Sequence, residues 1–313
     1  MHKLLLKNAY LENDLIRVME FEPEESATEA YTAGAHIDFD LPQIGLRSYS
    51  LIDWEPHSER PNSYRIAVQR EADGDGGSKA MHALSIGDSL FATPPKNSFE
   101  VVENDNPVLL IGGGIGITPL ISMATELSAA RRPYSFHYAA RSRARGGFIT
   151  QLTDHFKDDM SFHFDDDTPI NLKQILEAQD PSSQIYVCGP KGMIEAVQKI
   201  AQDHGFQLGS VHVELFTSPE AQAGDSAFEV EIKNTGEVYE IPPEKSIIDV
   251  LEAAGKDLMY DCQRGDCGIC QTDVISGTPD HRDVVLSEAD KAAGEVMQIC
   301  VSRAKSKRLV LDL

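Results

Sequence analysis

The first hundred residues alternate between short apolar runs and clusters of turn residues. Alternation of apolar and polar positions over about four to eight residues is typical of a half-buried β-strand. Turn residues separate the runs, as in Glu55–Asn62 and Asp73–Ser78. Many short strands at this spacing predict a small antiparallel β-barrel. The predicted strands are Ile16–Phe21, His36–Leu41, Arg47–Leu51, Tyr64–Arg70 and Ser89–Ala92.

The next part of the chain changes rhythm, because nearly continuous apolar runs alternate with helical patterns. The predicted strands are Val108–Ile111, Tyr134–Ala139, Met160–Phe164, Ile185–Val187 and Val211–Leu215. The predicted helices are Pro119–Ala130, Ile149–Phe156, Leu172–Ala178 and Gly192–His204. Strand–helix alternation with strands that are apolar throughout indicates an α/β domain with a buried parallel sheet.

The last part follows a polar stretch, Thr217–Ala227, which has the composition of a linker. It opens with a hairpin pattern and a helix that Ser246 and Asp249 can start. Its predicted elements are Phe228–Lys233, Glu237–Ile241, Ile247–Ala254, Thr272–Ile275 and Leu309–Leu313. We therefore predict three domains, a β-barrel at 1–102, an α/β domain at 103–221 and a small α+β domain at 226–313.

The charge of the chain narrows the classes of partner. Fifty acidic against 28 basic residues give a formal net charge of −22, spread over all three parts. This argues against nucleic acid and anionic membranes, which are bound by basic patches, and favours a protein partner with a basic docking surface. No apolar run approaches the roughly 18 residues of a membrane span, and Leu4–Leu6 is too short for a signal-peptide core. We expect a soluble cytoplasmic protein.

The strongest chemical signal is a group of cysteines near the end of the chain. Cys262, Cys267 and Cys270 have the spacing C-x4-C-x2-C, and Cys300 follows further along. This is the plant-type [2Fe–2S] ligand pattern, in which three of the four thiolates come from one tight loop. Gly265 and Gly268 let such a loop turn and bring backbone N–H groups towards the sulfurs. A zinc site is the alternative, but only one half of the pattern has the spacing of a zinc knuckle.

A glycine-rich turn lies between the first strand and the first helix of the α/β domain. The stretch Gly112–Pro119 reads GGGIGITP. Thr118 can cap the following helix and Pro119 suits its first turn, which makes the loop a candidate anion site. It lacks the last glycine of the Rossmann fingerprint and the Gly-Lys-Ser/Thr of a P-loop. Its candidate binding residues are Gly112, Gly113, Gly114, Gly116, Thr118 and Pro119.

The third domain resembles a plant-type ferredoxin, and the order of the three domains resembles the phthalate dioxygenase reductase family. Within that family the chain is most similar in character to the vanillate demethylase type of reductase. The segments Asp280–Asp283 (DHRD) and Ser302–Leu313 (SRAKSKRLVLDL) also resemble that subgroup. The resemblance spans the whole chain, and it implies FMN rather than FAD, NADH as the electron donor and a [2Fe–2S] cluster.

The resemblance assigns a flavin site to the barrel. Arg47, Ser48, Tyr49 and Ser50 match the R-x-Y-S flavin motif, in which Arg provides a fixed cation, Tyr lies against the ring and Ser hydrogen-bonds its N5 edge. Taken alone, the same four residues describe any amphipathic strand. The remaining implied flavin contacts are Ala67, Val68, Gly76, Gly77, Ser78 and Phe216.

The nucleotide site implied by the resemblance joins the glycine loop to Cys188-Gly189-Pro190, which lies near the nicotinamide in ferredoxin-NADP reductase-like proteins. Cys188 alone is equally well explained as a small buried residue at a strand end. Arg141 follows the second strand, where it could hold a 2′-phosphate, stack on adenine or line the diphosphate. The acidic run Asp165–Asp167 is interpreted as a solvated loop.

These assignments predict an NADH-dependent oxidoreductase that passes electrons from NADH to FMN, to the cluster and on to a terminal Rieske-type oxygenase. A flavin is required between a two-electron donor and a one-electron acceptor. Ser50 and Cys188 are the predicted catalytic residues, and Cys262, Cys267, Cys270 and Cys300 the predicted iron ligands. Two alternatives remain open: a flavin and iron–sulfur reductase for a different acceptor, and a ferredoxin-like carrier without NADH activity.

Overall fold

A computed structural model describes residues 1–25, 27–56, 62–207, 209–217, 222 and 224–313. The chain forms two compact units, Met1–His212 and Val213–Leu313, and each is considered by itself. Most of the predicted turn Glu55–Asn62, much of the predicted linker Thr217–Ala227 and the predicted domain boundary at residue 221 lie outside the described residues. No helix in the described part of the chain is long and apolar enough to cross a bilayer.

The first unit begins with a six-stranded antiparallel sheet in the order β4-β3-β6-β1-β2-β5. The outer strands β4 and β5 contact each other, and the N–H of Ile52 donates to the carbonyl of Arg65 at 2.8 Å, so the sheet curls into a barrel. Inward-facing Leu4, Phe21 and Phe39 fill it. The elements are β1 (His2–Leu11), β2 (Ile16–Pro23), β3 (His36–Leu41), β4 (Gly45–Ser50), β5 (Tyr64–Gln69), α1 (Gly77–Ala83) and β6 (Ser89–Ala92).

The predicted barrel is confirmed, but its first strand was not foreseen. Strand β1 buries Leu4 and Leu6 on one face, whereas Leu5 between them is half-buried. Three consecutive leucines hide the alternation that identifies the other strands. The strand is recognised in the structure because it pairs on both sides, with β2 and with β6.

The second sheet of this unit has the order β11-β10-β7-β8-β9, and β10, β7, β8 and β9 run parallel. All six residues of β7 are buried, as expected for a central strand covered on both faces. Its elements are β7 (Val108–Gly113), α2 (Thr118–Ala129), β8 (Tyr134–Ala140), α3 (Ile149–Phe156), β9 (Met160–Phe164), α4 (Leu172–Glu177), β10 (Gln184–Cys188), α5 (Lys191–Asp203) and β11 (Val211–Glu214). The unit boundary falls inside β11.

One hydrophobic cluster joins the barrel to the parallel sheet. It includes Ile52 and Ala67 from the barrel together with Ile117 and Phe136 from the α/β half. A polar contact supports the same interface, because the Glu12 carboxylate accepts the N–H of Phe148 at 2.8 Å and the side-chain amide of Gln151 at 3.2 Å. Glu12 therefore caps helix α3 from a position far away in the chain.

The second unit is the small α+β fold that the sequence predicts, with the sheet order β13-β12-β18-β14-β16. Strands β12 and β18 are parallel and the other described pairs of this sheet are antiparallel, as in a β-grasp. The predicted capping box of Ser246 and Asp249 is present. The elements are β12 (Phe228–Ile232), β13 (Val238–Ile241), α6 (Ile247–Ala253), β14 (Gln271–Ser276), β15 (Pro279–Asp280), α7 (Glu288–Ala293), β16 (Val296–Gln298), β17 (Arg303–Ala304) and β18 (Arg308–Asp312).

Replacing Glu12 by Ala should destabilise the first unit by about 1–3 kcal/mol, because two donors at the start of α3 lose their charged acceptor. The chain's single tryptophan, Trp54, packs 5.8 Å from the ring of Phe148, so its fluorescence during urea unfolding reports on this region. Glu195→Ala removes an exposed ion pair with Lys191 and should change the unfolding free energy by less than about 0.5 kcal/mol. Equal losses in both variants would contradict the capping role.

Candidate functional site

The R-x-Y-S residues occupy strand β4, which pairs with β3 along its whole length. Because alternate residues share a face, Arg47 and Tyr49 lie on one side of the strand and Ser48 and Ser50 on the other. The Tyr49 ring lies 6.1 Å from the ring of Phe39, and burial raises the pKa of its phenol to about 12. Tyr49 thus presents a neutral, half-buried aromatic surface beside the Arg47 cation.

Arg47 lies against the glycine turn that begins helix α1, although the two motifs are separated in sequence. A β-carbon added at Gly77 would lie 3.0 Å from Cγ of Arg47, and Gly76 has φ +90°, which favours glycine. The Arg47 guanidinium is 3.8 Å from the exposed carboxylate of Asp75. The Ser78 hydroxyl accepts the N–H of Glu71 at 3.0 Å and keeps its own proton free to donate. The structure therefore brings a cation, a glycine turn and a hydroxyl together, a donor set that suits a phosphate.

The two serines of the motif have different surroundings. The Ser48 hydroxyl donates to the buried carboxylate of Asp38 at 2.6 Å, so its side chain is engaged within the β3–β4 pair. Ser50 is 5% exposed, and among the described residues its hydroxyl has no hydrogen-bond partner. Buried hydroxyls are normally hydrogen-bonded, so an unpartnered one at this position fits a bound polar edge such as that of a flavin ring.

Ala67 and Val68 lie on strand β5 and are 6% and 2% exposed. Strand β5 contacts the turn Gly114–Ile117, which continues from the glycine loop. The Val68 carbonyl is bonded to the ring of His82 at 2.8 Å. The strand assigned to the flavin and the loop assigned to the nucleotide are therefore neighbours within the first unit.

The glycine loop and Cys188-Gly189-Pro190 meet through their backbones. Cys188 pairs with Gly112 across strands β10 and β7. A β-carbon on Gly116 would lie 2.4 Å from the Cys188 carbonyl oxygen, and one on Gly189 would lie 2.9 Å from Cα of Gly113. Side chains at these positions would separate the two segments, so the glycines are required for the approach. Cys188 is 1% exposed.

The predicted cap of helix α2 is wrong in one respect. Thr118 is the first residue of the helix rather than its cap, and its hydroxyl donates to the Ile115 carbonyl at 3.0 Å. The reason is that the turn Gly114–Ile117 is a 3₁₀ helix that runs directly into α2, so no extended capping residue precedes it. Pro119 lies in the first turn, as predicted.

Arg141 is exposed and follows the carboxyl end of β8, where Arg143 and Arg145 are also exposed. The Arg143 guanidinium lies 5.1 Å from the centre of the Phe164 ring. The acidic loop Asp165–Asp167 is exposed, as predicted, and the N–H of Asp165 donates to the carbonyl of Ala140 at 3.2 Å, which places the loop beside the arginines. Parallel pairing of β8 with β9 creates this proximity, which no local pattern reveals.

The four clustered cysteines all belong to the second unit. Cys270 and Cys300 are buried, and Cys262 and Cys267 are half-buried. The thiols of Cys262, Cys267 and Cys300 hydrogen-bond one another, which lowers the pKa of Cys262 and raises the pKa of Cys267 and of Cys300. The N–H of Arg264 also donates to the Cys262 sulfur at 3.3 Å. Three interacting thiols and a backbone donor fit the ligand shell of an iron–sulfur cluster.

Two glycines with positive φ angles shape the cysteine loop, as the sequence predicts. Gly265 has φ +83° and Gly268 has φ +78°. Among the described residues, no group of three or more His, Cys, Asp or Glu side chains is placed so that it could hold a single metal ion. A [2Fe–2S] cluster distributes its four sulfur ligands over two irons instead.

The structure adds polar neighbours of the cysteine loop that sequence reasoning missed. The side-chain carbonyl of Gln298, which is fully buried, accepts from the Cys270 thiol at 3.4 Å. The Asp266 carboxylate accepts the N–H of Leu215 at 2.6 Å, and burial raises its pKa to about 7. Phe216 lies in this unit and is 41% exposed, and its assignment to the flavin stays a prediction.

Comparison with known proteins shows which family the chain resembles over most of its length. Residues 230–305 match the model of the 2Fe-2S iron-sulfur cluster binding domain. The chain is 40% identical to the vanillate O-demethylase oxidoreductase of Pseudomonas sp. (strain HR199 / DSM 7063), covering 90% of each sequence. It also matches the solved phthalate dioxygenase reductase, described as a modular structure for electron transfer from pyridine nucleotides to [2Fe–2S], with TM-score 0.73, 33% identity and coverage of 99% and 97%.

A longer solved chain contains a similar structure. Full-length CYP116B46 from Tepidiphilus thermophilus matches with TM-score 0.82 and 30% identity over 100% of this chain. The present chain spans 42% of the length of that protein.

Substituting Gly116 by Ala should weaken NADH binding by at least about tenfold, or about 1.4 kcal/mol. The new methyl group would meet the Cys188 carbonyl at 2.4 Å and force the loop away from Gly189. Gly192→Ala is the matched control, because nothing lies within 4 Å of a β-carbon at that helical position. Isothermal calorimetry with NADH would compare the two variants, and similar affinities would show that the backbone approach is dispensable.

Gly265→Ala should prevent normal cluster loading. Its methyl group would lie 2.7 Å from Cγ2 of Val301 and 3.1 Å from Cα of Asp283, in addition to the strain of φ +83°. Gly255→Ala has the same strain at φ +80° but no neighbour within 4 Å, so it should lose about 1–2 kcal/mol of stability and keep its cluster. Iron and acid-labile sulfide per chain measure the difference, and full loading of Gly265→Ala would contradict this expectation.

Proposed function

The chain belongs to the oxidoreductase family of phthalate dioxygenase reductase and vanillate O-demethylase oxidoreductase, and we propose that it is the reductase component of a two-component oxygenase or demethylase. In this proposal electrons pass from NADH through FMN and a [2Fe–2S] cluster to the Rieske centre of a terminal oxygenase. The function, the family and the fold agree with what the sequence predicts.

The observation that carries the proposal is the convergence of two sets of residues within the first unit. Strand β5, with Ala67 and Val68, contacts the turn that follows the glycine loop. The Ser50 hydroxyl, which has no hydrogen-bond partner in the part of the chain that the structure describes, lies at the end of the neighbouring strand β4. A flavin held by the first set and a nicotinamide held by the second would share this region, as direct transfer of a hydride requires.

The flavin residues have separate roles in this proposal. Arg47, Gly76, Gly77 and Ser78 bind the phosphate, Tyr49 lies against the ring and Ser50 donates to its N5 edge. Ser48, Ala67 and Val68 contribute backbone at the same site. When bound, FMN supplies the exchange between a two-electron donor and a one-electron acceptor.

The nucleotide residues position NADH rather than exchange protons with it. The glycines of the loop, together with Thr118 and Pro119, form the surface for the diphosphate, and Cys188, Gly189 and Pro190 lie at the nicotinamide. Arg141 lies at the adenosine end, beside Arg143, Arg145 and the acidic loop Asp165–Asp167. The three cations and three carboxylates of this region offset one another, so the choice of NADH over NADPH rests on the family relationship.

The cluster belongs to the rest of the chain, and its electron acceptor is a separate protein. Cys262, Cys267, Cys270 and Cys300 ligate the irons in this proposal, with the Arg264 N–H as a donor to sulfur. The acceptor is a cytoplasmic oxygenase whose docking surface is basic, because the reductase carries a net charge of −22. We place the flavin domain at 1–102, the nucleotide domain at 103–221 and the ferredoxin domain at 226–313.

An anaerobic titration with NADH tests the electron path. Flavin and iron–sulfur absorbance should bleach together, with about three electrons taken up per chain, two by the flavin and one by the cluster. Cys267→Ser should lack the cluster spectrum yet retain flavin reduction by NADH, since its substitution lies in the second unit.

The other outcomes separate the remaining functions. A cluster that NADH does not reduce, even after FMN is added, would indicate a ferredoxin-like carrier. Full internal reduction without product formation by any terminal oxygenase would indicate a different acceptor. Loss of flavin reduction in Cys267→Ser, with flavin still bound, would contradict the modular electron path.

A further inference from the structure

We propose that Ser122 and Thr125 are positioning residues for hydride transfer, because they hold the segment that follows Ser50 against the helix that follows the glycine loop. The inference rests on the proposed function, since it concerns the geometry between the flavin and NADH. Neither residue belongs to the motifs that identify the two binding sites.

Both residues project from one face of helix α2. The helix begins at Thr118, directly after the glycine loop, and Ser122 and Thr125 follow four and seven positions later. Residues at this spacing share a helical face. Ser122 is 1% exposed and Thr125 is 7% exposed, so their hydroxyls are removed from water and need partners in the protein.

Those partners are backbone groups of Leu51–Asp53. The Ser122 hydroxyl donates to the Leu51 carbonyl at 2.8 Å and accepts the N–H of Asp53 at 2.9 Å. The Thr125 hydroxyl lies 2.9 Å from the Asp53 carbonyl and 3.0 Å from the Ile121 carbonyl, so it shares its proton between the segment and its own helix. Two hydroxyls thus bond three backbone groups of the three-residue segment.

The same segment is bonded to the barrel on its other side. The N–H of Leu51 donates to the Ala35 carbonyl at 2.8 Å, and the N–H of Ile52 donates to the Arg65 carbonyl at 2.8 Å. The Tyr31 hydroxyl donates to the Asp53 carboxylate at 2.9 Å. The segment therefore has bonds to both halves of the unit, and Ser50 immediately precedes it.

Gly34 packs tightly against the Phe99 backbone and lies beside the end of a side chain from helix α2. Gly34 has φ +94°, and a β-carbon there would lie 2.2 Å from the Phe99 carbonyl oxygen and 2.9 Å from Cε of Met123, the residue after Ser122. The apolar cluster around this contact attracts the two halves without fixing their register, since hydrophobic burial is non-directional. Hydrogen bonds have preferred lengths and angles, so they set the register.

The register matters because hydride transfer is sensitive to distance. The reacting atoms must approach to about 3–3.5 Å, and a displacement of about 1 Å can cost about a hundredfold in rate. The hydroxyl assigned to the flavin N5 edge and the loop assigned to NADH are joined through Ser122 and Thr125. Loss of these bonds should change the limiting rate of flavin reduction more than the binding of either partner.

The experiment compares the holoenzyme with Ser122→Ala and Thr125→Val, which remove the hydroxyls, and with Thr125→Ser, which keeps one. Ser128→Ala is the matched control, since Ser128 lies on the same helix and bonds the exposed hydroxyl of Tyr134 at 2.7 Å. Anaerobic stopped-flow mixing with NADH gives the limiting rate of flavin reduction and the apparent Kd. The intensity of the charge-transfer absorption between flavin and nicotinamide reports on their stacking.

We expect Ser122→Ala to lower the limiting rate by about ten- to a hundredfold and to weaken the charge-transfer absorption, with Kd and flavin content within about twofold of the wild type. Thr125→Val should show a smaller fall, and Thr125→Ser and Ser128→Ala should match the wild type. If Ser122→Ala does not fold, the limiting rates of Thr125→Val and Thr125→Ser are compared instead, and only Thr125→Val should be slower than the wild type.

A measurement without flavin or NADH keeps this inference separate from the proposed function. Hydrogen exchange of the Asp53 amide in the flavin-free protein should accelerate in Ser122→Ala, because that amide loses its acceptor, and stay unchanged in Ser128→Ala. Wild-type protein whose flavin NADH does not reduce would contradict the proposed function, while the exchange result would still stand. Unchanged reduction rates in Ser122→Ala and Thr125→Val, or unchanged exchange of Asp53, would overturn the positioning role.

Discussion

The buried interface between the barrel and the parallel sheet is the contact on which the first unit depends. Each half contributes part of one hydrophobic cluster, and neither could leave those side chains exposed without losing the free energy of their burial. Two polar side chains at this interface, Glu12 and Ser122, form hydrogen bonds across it. The interface therefore combines apolar attraction with directional bonds, and it places the flavin residues and the nucleotide residues in one body.

The absence of side chains is as important here as their presence. Gly113, Gly116 and Gly189 allow two backbones to touch at the carboxyl ends of β7 and β10, and Gly77 allows the helix start to lie against Arg47. A bound anion or ring can then meet main-chain groups directly, since no β-carbon stands in the way. The buried Ser50 hydroxyl, which has no partner among the described residues, adds a directional donor in the same unit.

The site of the second unit differs from that of the first, because most of its residues are close together in the sequence. Three of the four cysteines assigned to the cluster lie in one loop whose turns require glycine at positions 265 and 268. The fourth, Cys300, is brought to the loop by the pairing of β14 with β16, which also buries Gln298 beside Cys270. The local part was readable from spacing, whereas the neighbours Gln298 and Asp266 had no sequence signal, since their partners are defined by packing.

The sequence by itself determined most of the elements, though not α7 or β15 to β17, as well as the order of the three sheets and the presence of a 2Fe-2S domain, because periodicity, glycine positions and cysteine spacing are properties of neighbouring residues. It missed β1, whose three leucines obscure the alternation, and it assigned Thr118 a capping role that a preceding 3₁₀ turn removes. Only the tertiary structure decided that Arg47 meets Gly77, that the Ser50 hydroxyl has no hydrogen-bond partner among the described residues and that Ser122 bonds Leu51 and Asp53. Each of these contacts involves residues that are far apart in the sequence. The residues next to a position in the sequence do not indicate which distant backbone group it will contact after folding.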